Sequence, residues 1–441
     1  MLTQAENERL AQVGPGTPGG DLMRRYWQPV APTVRLAGNP VLPVRILSED
    51  LVLYRDKSGN LGLLQQRCPH RGVDLKFGIP TDDGLRCMYH GWLYDAEGRC
   101  LDQPLEPADS LFKDKIQAKA YPVQEMGGLV WAYLGPAPAP LLPRWDLFVW
   151  DNAFRHIGGV VLDANWLQCM ENAVDTGHVE YLHGHLWDYV VFDRGNGTGD
   201  PQSDAVLRKN VDAFKRRHVR MEWDVIEYGM LKRRLREGDD PESDLGWTRG
   251  NPIIFPYMIR VGGPVRNEFQ MRIPIDDTHT WHLDYMVYAP GPDVPVPQQD
   301  EVPYYDAPIF DEQGNAILDY VVAQDMAAWW SQLPIADRTI EQLGTSDRGV
   351  IMFRKMLGEQ IQIVQDGGEP INTFRDPAAN QSLAAPDTVR LGLIDDKGDG
   401  LSPIAQDAIY TRDHQIDRYS PVIDQVLDIY RRVDEQNALK R

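Results

Sequence analysis

The sequence predicts an α+β protein in two parts, a small all-β module followed by a larger domain in which helices flank an antiparallel sheet. Three observations carry this prediction. Between about residue 30 and residue 135 the chain runs in short alternating stretches, "LPVRILSEDLVLYRD", "GNLGLLQQRC" and "GGLVWAYLG", each punctuated by Gly, Pro or Asp. A proline-rich connection, "PAPAPLLP" from Pro136 to Pro143, follows and has limited flexibility. Beyond it the runs "HVRMEWDVIEYG", "NPIIFPYMIRVGG", "EFQMRIPIDD" and "HTWHLDYMVYAP" lie close enough together to be consecutive antiparallel strands.

In order, residues 1–26 read as a helical lead-in, 27–143 as the all-β module and 144–441 as the larger domain with a helical extension and tail. Helices are expected around 165–183, 315–332 and 336–365. The run "DRGNGTGDPQSD" after residue 192 reads as a mobile loop.

Composition excludes several classes of function. The chain has 441 residues, enough for a large core and two domains, and a formal net charge of -20. Nucleic acid and anionic membrane both require a basic face, so neither is expected as a partner, whereas a basic protein is compatible. The opening "MLTQAENERLAQVGPG" lacks a secretory pattern and no apolar run is long enough to span a bilayer, so a cytoplasmic location is expected. Four cysteines in a chain of this size do not make a disulfide framework, and clustered ones more often bind metal.

Two of them are clustered. "CPHRG" supplies Cys68 and His70, and sixteen residues later "CMYHGW" supplies Cys87 and His90. Two Cys and two His can hold zinc tetrahedrally, but each half here contributes one of each from a glycine-bearing loop. The pattern resembles the Rieske iron-sulfur proteins, matching the ligand spacing and the residues around it. That resemblance implies a [2Fe-2S] cluster with Cys68 and Cys87 on one iron and His70 and His90 on the other, a one-electron centre.

The second constellation is "NWLQCMENAVDTGHVEYLH". Asn172, Asp175 and His178 recur at three-residue intervals, which predicts one helix face, while His183 lies five beyond His178 and suggests distortion or an end near Gly177. Two imidazoles and a carboxylate leave coordination positions open, as in non-heme Fe(II) oxygenases. With the Rieske motif, the run resembles the oxygenase component (α subunit) of the Rieske non-heme iron oxygenases. The resemblance implies a helix-grip catalytic domain, with His178 and His183 as iron ligands and Asn172 near the open positions. It also implies that Asp175 bridges His178 to His90 of a neighbouring subunit, hence a homotrimer or stacked hexamer.

For the third ligand, "VVAQDMAAWWSQLPIADRTIEQLGTSDRGV" resembles the phthalate dioxygenase branch and implies Asp325, with Asp319, Asp337 and Asp347 as competitors. Leu333-Pro334 departs from the glycine usual there. The absence of a nicotinamide or flavin fingerprint implies a separate reductase delivering electrons from NAD(P)H, with O2 as co-substrate. Length and N-terminal pattern resemble the O-demethylases of lignin-derived acids, so an aromatic acid substrate and monooxygenation are expected. Cis-dihydroxylation of a phthalate-type acid is the alternative within the family. An electron carrier without a working iron site is the alternative of another class.

The remaining candidates divide by position. His185 reads as loop packing, Cys100 and Cys169 as buried small residues, and His279 and His282 as strand packing. Lys232 to Arg236, "KRRLR", would ordinarily be a solvated strand end. In so acidic a chain it could instead hold a carboxylate, as could Arg260 or Arg272.

Overall fold

A computed structural model of the chain describes residues 1–195, 197–263, 265–386 and 401–440. The N-terminal part contains three small antiparallel sheets. Trp27–Pro32 pairs with Leu129–Tyr133, which also pairs with Val123–Met126. Val41–Ile46, Glu49–Arg55, Leu61–Gln65 and Ala120–Tyr121 form a second sheet, and four short strands from Ile79 to Asp102 form a third. The loop with Cys87 and His90 joins Leu85–Arg86 to Leu93–Tyr94 of the third sheet, whereas the loop with Cys68 and His70 follows Leu61–Gln65 of the second.

The larger part is built on an eight-stranded sheet. Its order runs His218–Ile226, Gly229–Arg236, Asn251–Ile254, Met258–Gly262, Arg266–Pro274, Thr280–Tyr288, Phe154–Leu162 and Tyr304–Asp306. All neighbours are antiparallel except the last pair. The four strand-like runs became strands, one of them split around Phe255-Pro256, but Gly229–Arg236, which is not among them, pairs between the first and the second. Strands Arg266–Pro274 and Thr280–Tyr288 are buried almost throughout, because helices and the C-terminal segment cover both faces.

Four expected elements differ, one of them the 315–332 pattern, which is helical only over Val321–Trp330 with Tyr320 extended before it. The predicted helix 165–183 is Trp166–Val174 only, and a π-type segment, Val179–Leu186, follows it. The 336–365 pattern is helical only over Arg348–Gln365, because Leu333, at φ +74, and a run of side-chain-capped turns occupy the preceding stretch. The loop read as mobile ends early: Asp200 caps a helix, Pro201–Phe214, whose buried face includes Val206, Leu207 and Val211. Among the described residues no helix is long and apolar enough to cross a membrane.

Helix Trp166–Val174 is locked to the segment that follows helix Val321–Trp330. Gln168 donates to the carbonyls of Trp329 and Leu333 at 2.8 and 2.9 Å, and Glu171 takes two bonds from Arg338 and one from Arg354. Residues 168, 171 and 172 share a face at i, i+3 and i+4, so the same face that makes these locks presents Asn172 toward the second helix.

Candidate metal centres

The first centre lies on two tight turns. Gly72 and Gly91 adopt φ of +72 and +75, which L side chains rarely reach, and their amides close the turns onto the carbonyls of Cys68 and Cys87. Cys68 and Cys87 are 2% and 3% exposed, whereas His70 is exposed and His90 half-buried. The imidazole centroids are 4.6 Å apart, and His70 stacks on Trp92 at 4.3 Å. The Tyr94 hydroxyl lies 3.4 Å from the Cys68 thiol, and burial raises the Tyr94 pKa, with Cys68 adding to the shift. Two sheltered thiols with two imidazoles at a solvent-facing rim fit a [2Fe-2S] cluster of Rieske type.

The second centre gathers His178, His183 and Asp325, whose ligand atoms all lie within 4.8 Å of one another. The Asp325 Oδ1 is 3.2 Å from His183 Nε2 and 3.6 Å from His178 Nε2. Asn172 donates to the same oxygen at 3.2 Å. Each imidazole is held from behind: His178 Nδ1 by Asp175 Oδ2 at 3.0 Å, and His183 Nδ1 by Gln324 Oε1 at 2.8 Å. Both Nε2 atoms therefore face Asp325, and the donor set fits a 2-His-1-carboxylate iron site.

Asn172, Asp175 and His178 do not share one helix. The helix stops at Val174, Asp175 is extended, and its carboxylate accepts the backbone N–H groups of Gly177 and His178 at 2.8 and 3.1 Å. This cap starts the next segment. π-type winding, with its i to i+5 bonds, then brings His183 round beside His178, with ring centroids 5.1 Å apart. The five-residue offset that suits an ordinary helix poorly suits this wider turn.

Electrostatics follow from burial. Burial would raise the Asp325 carboxyl, but His183, His178 and Arg272 outweigh it and hold it at about 2. Burial lowers the His178 pKa, the direction that a metal-holding imidazole requires. Asp175 is likewise held below the carboxylate range, because the bonds from His178 and Gly177 outweigh its burial.

A cavity of about 110 Å³ opens beside this centre. Lys232, Arg234, Gln270 and Arg272 line it, with Tyr410 and Gln415 from the C-terminal segment. The basic run is not a solvated strand end: Lys232 and Arg234 point inward by the two-residue alternation of a strand, while Arg233 pairs outward with Asp224. Burial, reinforced by Arg234, lowers Lys232 to about 7, and burial with Arg236 lowers Arg234 to about 9. Arg234 Nη1 and Arg272 Nε are buried with no partner among the described residues.

Arg260 is engaged elsewhere, on Asp146 and the Ala385 carbonyl at 2.8 and 2.7 Å. His279 and His282 bond Asp276 and Asp284, outside the cavity lining, and exposed His185 packs on Tyr181. Cys100 and Cys169 are buried. Of the competitors to Asp325, Asp319 is paired with Arg418, and Asp337 and Asp347 cap turns. Sequence reasoning missed Gln324, although it directly precedes Asp325. It also missed Tyr410 and Gln415, which carry no local signal.

Comparison with known proteins agrees with this geometry. Residues 26–122 match the Rieske [2Fe-2S] domain and residues 312–390 the LigXa C-terminal domain-like family. The chain is 39% identical to the 5,5'-dehydrodivanillate O-demethylase oxygenase subunit of Sphingobium sp., over 88% of this chain and 87% of that protein. It is 31% identical to the phthalate 4,5-dioxygenase oxygenase subunit of Pseudomonas putida, over 85% and 89%. Among solved structures, NdmA of Pseudomonas putida CBB5 superposes with a TM-score of 0.56 at 21% identity, covering 79% of this chain and 93% of that one, a likeness of fold.

Proposed function

The chain belongs to the Rieske non-heme iron oxygenases as an oxygenase component, and from that premise we propose that it hydroxylates an aromatic carboxylic acid by O-demethylation of a methoxylated, lignin-derived substrate. Oxygenase components of this family work in multicomponent systems with a reductase or ferredoxin partner. The observation that carries the substrate class is the lining of the cavity: Lys232, Arg234 and Arg272, all buried, face it beside His178, His183 and Asp325. Among the described residues none of the three forms an ion pair, although Asp325, Asp175 and Glu268 act on them from farther off. Buried cations without a paired carboxylate are stabilised by an anionic ligand. The relative at 39% identity supports demethylation over ring dihydroxylation.

In this reading Cys68, His70, Cys87 and His90 hold the [2Fe-2S] cluster, and His178, His183 and Asp325 hold iron. When bound, the iron supplies O2 activation and the cluster supplies single electrons originating in NAD(P)H. The chain supplies the rest. The three cations fix the carboxylate end of the substrate, which orients its methoxy group toward the open side of the triad. Asn172 holds the Asp325 carboxylate, and Asp175 keeps the proton of His178 on Nδ1. Net, an aryl methyl ether, O2, two electrons and two protons become the phenol, formaldehyde and water.

Asp175 is also the contact through which His90 of a neighbouring subunit would deliver electrons, so the working unit is a trimer or a stack of two. The half-buried His90 and the exposed Met88 and Tyr89 beside it support a rim that meets another protein surface. The assignment is tested by turnover with NAD(P)H, a reductase, and vanillate, 5,5'-dehydrodivanillate or phthalate in turn. One formaldehyde per substrate consumed bears out demethylation. A cis-dihydrodiol without formaldehyde transfers the chain to the dihydroxylating group, and reduction of the cluster without O2 uptake on any acid leaves an electron carrier.

A further inference from the structure

The two imidazoles of the iron site are supported by unlike groups, a carboxylate behind His178 and a side-chain amide behind His183. Gln324 is fully buried and both ends of its amide are engaged. Its Nε2 donates to the Leu318 carbonyl at 2.9 Å, and its Oε1 lies 2.8 Å from His183 Nδ1. A carbonyl can only accept, so Leu318 fixes which end of the amide is nitrogen. The oxygen must then face His183, and that oxygen can only accept from an Nδ1–H. The tautomer of His183 thus follows from the bonding pattern, and its Nε2 lone pair is left toward Asp325.

The carbonyl that fixes the amide is itself held. Asp319, the next residue, takes two bonds from Arg418 at 2.9 and 3.0 Å, and its own carbonyl accepts from Trp187 Nε1 at 3.1 Å. Trp187 is fully buried one residue beyond the π-type segment that carries His183. The acceptor and the imidazole it orients are therefore pinned to each other from two sides.

We propose that Gln324 is the positioning residue of His183, fixing its tautomer and ring orientation for iron through a neutral acceptor where His178 has a carboxylate. The inference rests on the reading of His183 as an iron ligand. A carboxylate acceptor makes an imidazole a stronger donor than an amide does, so the two ligands are unequal, with His183 the weaker.

The test uses the full-length protein with its cluster assembled, measuring ferrous iron affinity by chelator competition and the EPR spectrum of the ferrous nitrosyl complex. The visible spectrum of the cluster reports folding. Gln324→Leu removes both bonds, whereas Gln324→Glu keeps an acceptor for His183 and loses the donor to Leu318. The expected result is a loss of roughly 10–100-fold in iron affinity with an altered nitrosyl spectrum in Gln324→Leu, and recovery of both in Gln324→Glu. Equal loss in both variants would overturn the proposal, because the amide would then act only by anchoring Leu318. Wild-type affinity and spectrum in Gln324→Leu would overturn it as well. His183→Ala is run beside them: if it retains full iron affinity, the ligand reading itself fails, and the role of Gln324 with it.

Discussion

Asp417 and Arg418 are neighbours in the chain, yet they pair in opposite directions: Asp417 with Arg266 of the central sheet at 2.8 Å, Arg418 with Asp319 ahead of helix Val321–Trp330 at 2.9 Å. One short turn, Ile416–Tyr419, therefore ties the cavity wall to the loop leading into Gln324 and Asp325. The two pairs differ in burial, with side-chain exposures of 1% and 0% for the first and 20% and 36% for the second.

Their cost on removal should differ accordingly. Among the described residues Asp417→Ala leaves Arg266 with Glu268 as its remaining buried carboxylate and also strips Tyr288 and His156 of their partner, and breaking a buried pair costs about 3–5 kcal/mol. Arg418→Ala, at the partly solvated pair, should cost about 1 kcal/mol or less. Urea denaturation of the two variants against wild type reads the difference, and equal losses would show that the turn is held by packing alone.

Removing Asp325, the proposed third ligand, should remove one iron and nothing else. The wild type is expected to carry about three irons and two acid-labile sulfides per chain, and Asp325→Ala about two irons with sulfide unchanged. Asn172→Ala keeps all three donors and loses one bond to Asp325, so its iron should fall only when challenged by a chelator.

Asp175→Asn separates support from supply. The amide can still accept from His178, so iron should remain, while the negative charge is lost. Reduction of the cluster by dithionite should proceed at the wild-type rate. In a single turnover, oxidation of that reduced cluster with substrate and O2 present should slow by at least about tenfold. An unchanged rate would remove Asp175 from the route between centres.

The cavity cations give a pH dependence whose sign is set by burial. Lys232 is lowered to about 7, so its charge is present below that pH and is lost as pH rises through it. Affinity for an aromatic acid should therefore fall above pH 7, and Lys232→Arg should hold it to higher pH. At pH 6.5, Arg272→Ala should raise KM for the acid about 10–100-fold, the value of one charge-assisted bond, and leave KM for the corresponding primary amide nearly unchanged.

Much of this was legible without coordinates, for a local reason. Cys68, His70, Cys87 and His90 sit on turns whose glycines and spacings are sequence properties, so the centre is encoded within a short stretch. His178 and His183 carry a weaker mark, since their five-residue offset alone says little and the pair is read through resemblance to the family, while the alternation of the sheet strands gave the larger domain its architecture. Asp325 came from resemblance to a branch of the family, because one carboxylate among 65 acidic residues has no local mark of its own.

What only the tertiary structure decided depends on residues distant in the chain meeting at one point. The helix expected to carry Asn172, Asp175 and His178 ends before Asp175, since capping by that carboxylate and π winding beyond it are settled by what His178 and His183 must reach. Which basic residues face the cavity was open until the register of strand Gly229–Arg236 turned Lys232 and Arg234 inward and Asp146 drew Arg260 away. Gln324, 141 residues from His183, and the Asp417–Arg266 pair, 151 apart, are long-range contacts whose partners no window of sequence contains. Spacing along the chain fixed which chemistry this protein carries, and packing across it fixed which side chains hold that chemistry in place.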